Sequence, residues 1–288
     1  AQYKLADYYF KQNNYDSAFK WMALLAESGY ADAFYPLAIY YEHGYGCSIN
    51  REKAKEYYLK AVDQNDYQAA KRVGELYYQD KDFLKAKEYL GIAAAFNIDN
   101  AKQLFEQVKT EERIANAITP DAENNLALEF YKNGDYNNAF ELFKKAALAG
   151  YAVAQYNLAY CYERGYGVTM NTSLSFDFYS RAASQNYADA IYKLGECYRY
   201  GFGVKKDLVK ALEYYQKAAS QGSDDACVRI AVYYMEGKEV QKDYFKAMRF
   251  LQQPAQNGNA EAQYCLGKIY ADGDGVEQNK ELAFRWMK

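Results

Sequence analysis

Apolar residues at helical spacing organise the second half of the chain. Ala190, Leu194 and Tyr198 recur every four positions and so share one helical stripe, and Gly195 beside them lets a partner helix approach closely. Gly201 follows as a residue able to take a positive φ and end that helix. Asp207 then stands where an N-cap belongs, its carboxylate placed to accept from the first free N–H groups of a second helix. That second helix buries Ala211, one or both of Tyr214 and Tyr215, and Ala218, and Gly222 stops it. The unit is a helical hairpin. No segment alternates with period two for long enough to form a strand.

The hairpin repeats. A fixed offset of 36 residues aligns Gly165, Gly201, Gly237 and Gly273 without a gap. It also aligns Leu158, Leu194, Ile230 and Leu266, then Ala159, Gly195, Ala231 and Gly267, then Asn171, Asp207, Asp243 and Asn279. An offset of 121 places Leu5 on Leu126, Tyr15 on Tyr136, Glu42 on Glu163 and Gly44-Tyr45-Gly46 on Gly165-Tyr166-Gly167. Both ends of the chain are copies of one array. Residues 1–30, 68 to about 98 and 122–151 lack the Gly-x-Gly insert and turn through short polar links such as Lys132-Asn133-Gly134-Asp135. The organisation expected is an N-terminal repeat block over 1–98, a joint over 99–121 formed by one irregular helix, and a C-terminal block over 122–288. About seven hairpins plus the joint are predicted. The last repeat stops at Lys288, three residues short of the position aligned with Ala255, so it reads as cut.

Units reading A-x-x-x-L-G-x-x-Y-x-x-G-x-G-V, then D-x-x-K-A-x-x-Y-Y-x-x-A-A-x-x-G, resemble Sel1-like repeats, relatives of tetratricopeptide repeats. The likeness is strongest over 188–222 and weaker over 224–259, where Glu239 replaces the second Gly. It implies an all-α fold, a right-handed α-solenoid of stacked antiparallel helical hairpins, serving as a non-catalytic scaffold or adaptor for other proteins. One branch of the family carries paired cysteines near the end of the second helix. Here those positions hold Ala219, Gly222 and their equivalents, so that disulfide-stapled branch is a poor match.

Composition narrows the chemistry. Lys plus Arg number 35 against 38 acids, a net charge of -3, which leaves no basic excess to neutralise a phosphate backbone, so no nucleic-acid partner is expected. Apolar runs such as Ile92 to Phe96 are far shorter than the roughly 20 residues that cross a bilayer. Five cysteines, Cys47, Cys161, Cys197, Cys227 and Cys265, include no CxxC, so no disulfide and no zinc site are expected. Unpaired thiols favour a cytoplasmic compartment, although a processed N-terminus also fits a periplasmic or secreted protein. The Gly-x-Gly triplets lack the third Gly of a phosphate loop and follow a helix instead of a strand, so they read as turns. Asp272-Gly273-Asp274-Gly275 has its Gly at the wrong place for a calcium loop. With one His, no nucleophile elbow and no thiol beside a base, enzymatic parts are missing and no metal or cofactor is expected.

The anomaly is tyrosine, at 34 residues. In tetratricopeptide-like solenoids the first helix of each hairpin lines the concave side. Counting from Leu194, the face opposite its packing stripe carries Asp189, Tyr192, Glu196, Arg199 and Tyr200. The same count gives Tyr156, Tyr160, Glu163 and Arg164 around Leu158, Tyr35, Glu42 and His43 around Leu37, and Tyr264 near Leu266. Tyr35, Tyr156, Tyr192 and Tyr264 thus form an aromatic row flanked by charge. Such residues make interface hot spots, and the row is the candidate site for a peptide or partner protein. The competing reading packs these tyrosines between hairpins. Two other functions remain open on the sequence: a carbohydrate-binding module, because tyrosine faces also stack on sugar rings, and a regulatory repeat region of a larger enzyme or envelope assembly.

Overall fold

A computed structural model describes residues 2–288. Among these residues there are seventeen α-helices, one 3-10 turn (Ala31–Ala33) and no strand. The first unit, residues 1–116, holds three hairpins: α1 (Gln2–Lys11) with α2 (Tyr15–Glu27), α3 (Phe34–His43) with α4 (Arg51–Val62), and α5 (Tyr67–Gln79) with α6 (Phe83–Ala95). It ends in an unpaired helix, α7 (Ala101–Asn116). The second unit, residues 117–288, holds five hairpins. These are α8 (Pro120–Lys132) with α9 (Tyr136–Leu148), α10 (Ala152–Arg164) with α11 (Thr172–Ser184), α12 (Ala188–Tyr200) with α13 (Leu208–Ala219), α14 (Asp224–Glu236) with α15 (Tyr244–Gln256), and α16 (Ala260–Asp272) with α17 (Lys280–Met287). Eight hairpins therefore replace the seven expected. The stretch expected to hold an irregular helix contains the longest regular one, α7, which lays Phe105 against Gly91 of α6.

Local chemistry accounts for the hairpins. Side-chain oxygens of Asn50, Asn171, Asp207, Asp243 and Asn279 cap the second helices, accepting from the N–H three residues on at 2.9–3.0 Å. Across each long turn the same capping residue donates its own N–H to a helix carbonyl, as Asp207 does to Tyr198 at 2.9 Å and Asn171 to Tyr162 at 2.9 Å. The turn is closed from both ends.

Alanines on facing stripes are wholly buried, among them Ala190, Ala211 and Ala218, and they let the helices approach closely. Between them lie large side chains: Tyr58, Tyr179, Tyr215, Leu158 and Ile191 are all buried. A second set of rings joins the two helices in four of the hairpins. Tyr41 stacks on Tyr57, Tyr162 on Phe178, Tyr198 on Tyr214 and Tyr234 on Phe250, with centroids 5.4–6.0 Å apart. The preceding hairpin adds an edge-on ring, Phe19 to Tyr41, Phe140 to Tyr162 and Phe176 to Tyr198. Six of the 34 tyrosines are thereby explained as stacking elements.

The second Gly of each triplet has a separate purpose. A Cβ on Gly46, Gly167 or Gly203 would lie 2.1 Å from the carbonyl oxygen of Tyr15, Tyr136 or Thr172, at the start of the previous hairpin's second helix. These glycines allow the turn of one repeat to rest on the backbone of its predecessor. Glu239 takes the same position with φ +57°, and the repeat keeps its turn there at a local cost of about 1–2 kcal/mol.

Gly203 and Gly222 both have positive φ, but a Cβ on Gly222 meets nothing within 4 Å. Ala at Gly222 is expected to cost about 1 kcal/mol through backbone strain. Ala at Gly203 is expected to cost about 1–3 kcal/mol more, because the previous hairpin must move. Urea titration of both variants, followed by circular dichroism, checks the difference; equal midpoints would mean that the turn does not bear on its neighbour.

Candidate functional site

The charged residues counted onto the inner face meet tyrosines from the second helices, and the meeting recurs. Glu42 accepts from the Tyr58 hydroxyl at 2.7 Å and from Arg72 Nε of the next hairpin at 3.3 Å. Glu163 accepts from the Tyr179 hydroxyl at 2.7 Å and from Lys193 Nζ of the next hairpin at 3.1 Å. At the following step Arg199 stands at the position aligned with Glu163, and the carboxylate sits one turn earlier, at Glu196. Glu196 still accepts from the Tyr215 hydroxyl and lies 3.8 Å from Arg229 Nε of the next hairpin. One carboxylate thus links a buried phenol of its own hairpin to a cation of the next.

Burial, reinforced by the neighbouring carboxylate, pushes the hydroxyls of Tyr58, Tyr179 and Tyr215 far above the ordinary phenol range. Each is a hydrogen-bond donor to its carboxylate at neutral pH.

The expected row of tyrosines divides. Tyr35, Tyr156 and Tyr192 are half-buried, their rings 5.5–5.8 Å from Tyr58, Tyr179 and Tyr215 respectively. Tyr192 also accepts a long hydrogen bond from Arg229 at 3.5 Å. These three serve as an outer layer over the buried phenols as well as a surface. Tyr264 is 59% exposed and His43 is exposed with its ring 5.6 Å from Tyr45. Tyr160 is half-buried between two cations, Arg164 at 5.6 Å and Lys193 at 5.4 Å from its centroid.

Two hollows of the second unit take in residues of the candidate set. A cavity of about 370 Å³ between α10, α11 and α12 is lined by Glu163, Arg164, Tyr192 and Glu196, all counted onto the face from sequence. A smaller one, about 190 Å³, takes in Tyr156 and Tyr160 with Tyr131 of α8. Tyr35, Glu42 and His43 belong to the first unit, and within the second unit the structure brings together members of the candidate set from α10 and α12. The larger mouth is walled by three exposed apolar side chains, Met170 (64%), Tyr200 (52%) and Phe202 (54%), with the Tyr200 and Phe202 rings stacked 5.5 Å apart. Met170 and Phe202 escaped the sequence reading because the repeat pattern gives them the part of turn residues. The signal was their bulk at turn positions where Lys206, Lys242 and Gln278 occupy the Met170 column.

The Sel1 repeat family profile matches eight segments: residues 1–30, 32–66, 68–95, 120–151, 152–187, 188–223, 224–259 and 260–288. The chain belongs to the Sel1 repeat family. Among solved structures, a protective antigen of uropathogenic Escherichia coli with an SLR fold is similar at 27% identity and a TM-score of 0.53, over 99% of this chain and 59% of that one. A Sel1 repeat protein from Oxalobacter formigenes shows the same fold at 24% identity and a TM-score of 0.53, over 99% and 80%. DAP3-binding cell death enhancer 1 of Rattus norvegicus is 40% identical over 73 residues, which is 25% of this chain and 14% of that protein. The similarity to that relative spans about one seventh of its length. Among the described residues of this Sel1 repeat protein, no helix is long and apolar enough to cross a membrane.

The phenol links make two expectations. Tyr179→Phe removes the hydroxyl donor from Glu163 and should lower stability by about 1.5–3 kcal/mol, whereas Tyr200→Phe should stay within about 0.5 kcal/mol of the parent. Because the folded phenols hold their protons above the unfolded value of about 10, their stabilisation is complete below that pH and is lost as pH rises beyond it. Denaturation midpoints measured between about pH 9 and 11 should therefore fall, and fall less steeply in Tyr179→Phe.

Proposed function

We propose that this chain is a non-catalytic protein-binding scaffold, and that its second unit holds a peptide or a partner's surface at the cavity between α10 and α12. The observation that supports this reading most directly is the contrast between wall and floor. Met170, Tyr200 and Phe202 offer exposed apolar surface at the mouth, the kind of surface that gains most from being covered. The carboxylates on the floor are each engaged by a phenol and a cation. Neither is free to act as a general base. Cys197 lies in the wall, but burial pushes its thiol up to about 12, so it stays protonated and is a poor nucleophile at neutral pH.

Tyr192 contributes to this cavity, and Tyr156 to the second hollow. Membership of the Sel1 repeat family fits an interaction scaffold in general. The partner's identity is set by the mouth of this cavity in our reading, and by nothing carried over from relatives.

Photocrosslinking tests the proposal. A benzoylphenylalanine placed at Tyr200, irradiated in an extract of the source cells, should give discrete protease-sensitive adducts. The same probe at Glu213, exposed on α13, should give none. Adducts from Glu213 alone would move the binding surface to the second helices, and a Tyr200 adduct removed by glycosidases but not by proteases would favour the carbohydrate reading.

A further inference from the structure

The charges at the mouth of the cavity specify more than an apolar contact. Glu163 is 26% and Glu196 23% exposed at the side chain, and each spends its oxygens on internal partners. Arg164 differs. Its side chain is 53% exposed, its ion contact to Glu163 is made through Nε at 3.4 Å, and its guanidinium also rests over the Tyr160 ring. More than half of the Arg164 side chain is thus exposed where it lines the aromatic hollow. A second guanidinium belongs to the next hairpin: Arg199 packs against the Tyr200 ring at 5.1 Å and lies 3.9 Å from Glu196, with its Nη1 buried and without a hydrogen-bond partner. The accessible charge next to the apolar wall is positive, while the negative charge is internally neutralised.

Resting on the scaffold reading, we infer that the occupant of this cavity is an acidic peptide segment, with one bulky apolar side chain seated between Tyr192, Tyr200 and Phe202 and an Asp or Glu within a few residues of it paired with Arg164. A guanidinium at a partly desolvated rim offers two parallel N–H donors to a carboxylate, a fit that a lysine or an amide on the ligand cannot reproduce. A cationic ligand would instead face Arg164 directly and find both carboxylates taken.

The probe is a panel of fluorescein-labelled dodecapeptides, acetylated and amidated so that no terminal charge intervenes. Each has a Gly/Ser background, one Leu or Phe, and Glu, Gln or Lys one to four residues away. By fluorescence anisotropy in about 50 mM salt, the best Glu peptide should bind roughly tenfold tighter than its Lys counterpart, and the gap should narrow at about 500 mM salt. Arg164→Glu should reverse the order and Arg164→Gln should abolish it, in variants whose circular dichroism and cooperative melting show them folded at the assay temperature, while Tyr200→Ala should weaken all peptides alike. Equal affinity for Glu and Gln peptides, a Glu preference that survives in Arg164→Gln, or no binding up to about 1 mM would each overturn the inference. Crosslinks at Tyr200 without an acid preference would leave the scaffold reading standing and remove only this one. Absence of both would remove the two together.

Discussion

Three buried phenols, Tyr58, Tyr179 and Tyr215, each donate to a carboxylate that also reaches the next hairpin, whereas the buried Tyr233 hydroxyl has no hydrogen-bond partner. Tyr58, Tyr179 and Tyr215 sit at the centre of their hairpins, where a bare hydroxyl would cost a few kcal/mol. Glu42, Glu163 and Glu196 satisfy them, and a carboxylate in such a place demands a counter-charge in turn. Arg72, Lys193 and Arg229 provide it from the following repeat. At these three steps the requirement passes from one repeat to the next and ties the following first helix to the hairpin before it. Alanine stripes and stacked rings supply most of the burial; the charged link supplies the register.

The same link decides what the surface can offer. A row of tyrosines and charges read from sequence looks like a uniform binding strip, yet most of its carboxylates are occupied and three of its tyrosines roof the buried phenols. Glu163 and Glu196 each spend their oxygens on a phenol and a cation, and burial pushes the Cys197 thiol up to about 12. What remains at the cavity of α10 and α12 is an exposed guanidinium, Arg164, beside Met170, Tyr200 and Phe202.

The hairpins, their caps at Asn171, Asp207 and Asp243, and the stops at Gly165 and Gly201 were legible because they depend on residues close together in the chain and repeated at one offset. The close approach at Gly195 was legible too: Tyr215 fills the space that a Cβ would take. The cation column was not, although its signal exists. Arg72 and Lys193 each stand thirty residues after Glu42 and Glu163, a spacing shorter than the repeat and visible only once first helices are known to be neighbours. Residues 99–121 misled because their apolar positions, Leu104, Phe105 and Val108, match no repeat column. α7 packs them against α6 as a regular helix without a partner of its own. Met170 and Phe202 gain their role only from the cavity they border.

The central claim is that phenol, carboxylate and cation act as one unit across the boundary between repeats. A double-mutant cycle on Tyr179→Phe and Lys193→Met, with unfolding free energies from urea titration, measures it most directly, since both side chains bind Glu163 but belong to different hairpins. The account predicts a coupling of at least about 1 kcal/mol between them. Additivity within about 0.3 kcal/mol would contradict it, and would reduce the link to two independent contacts.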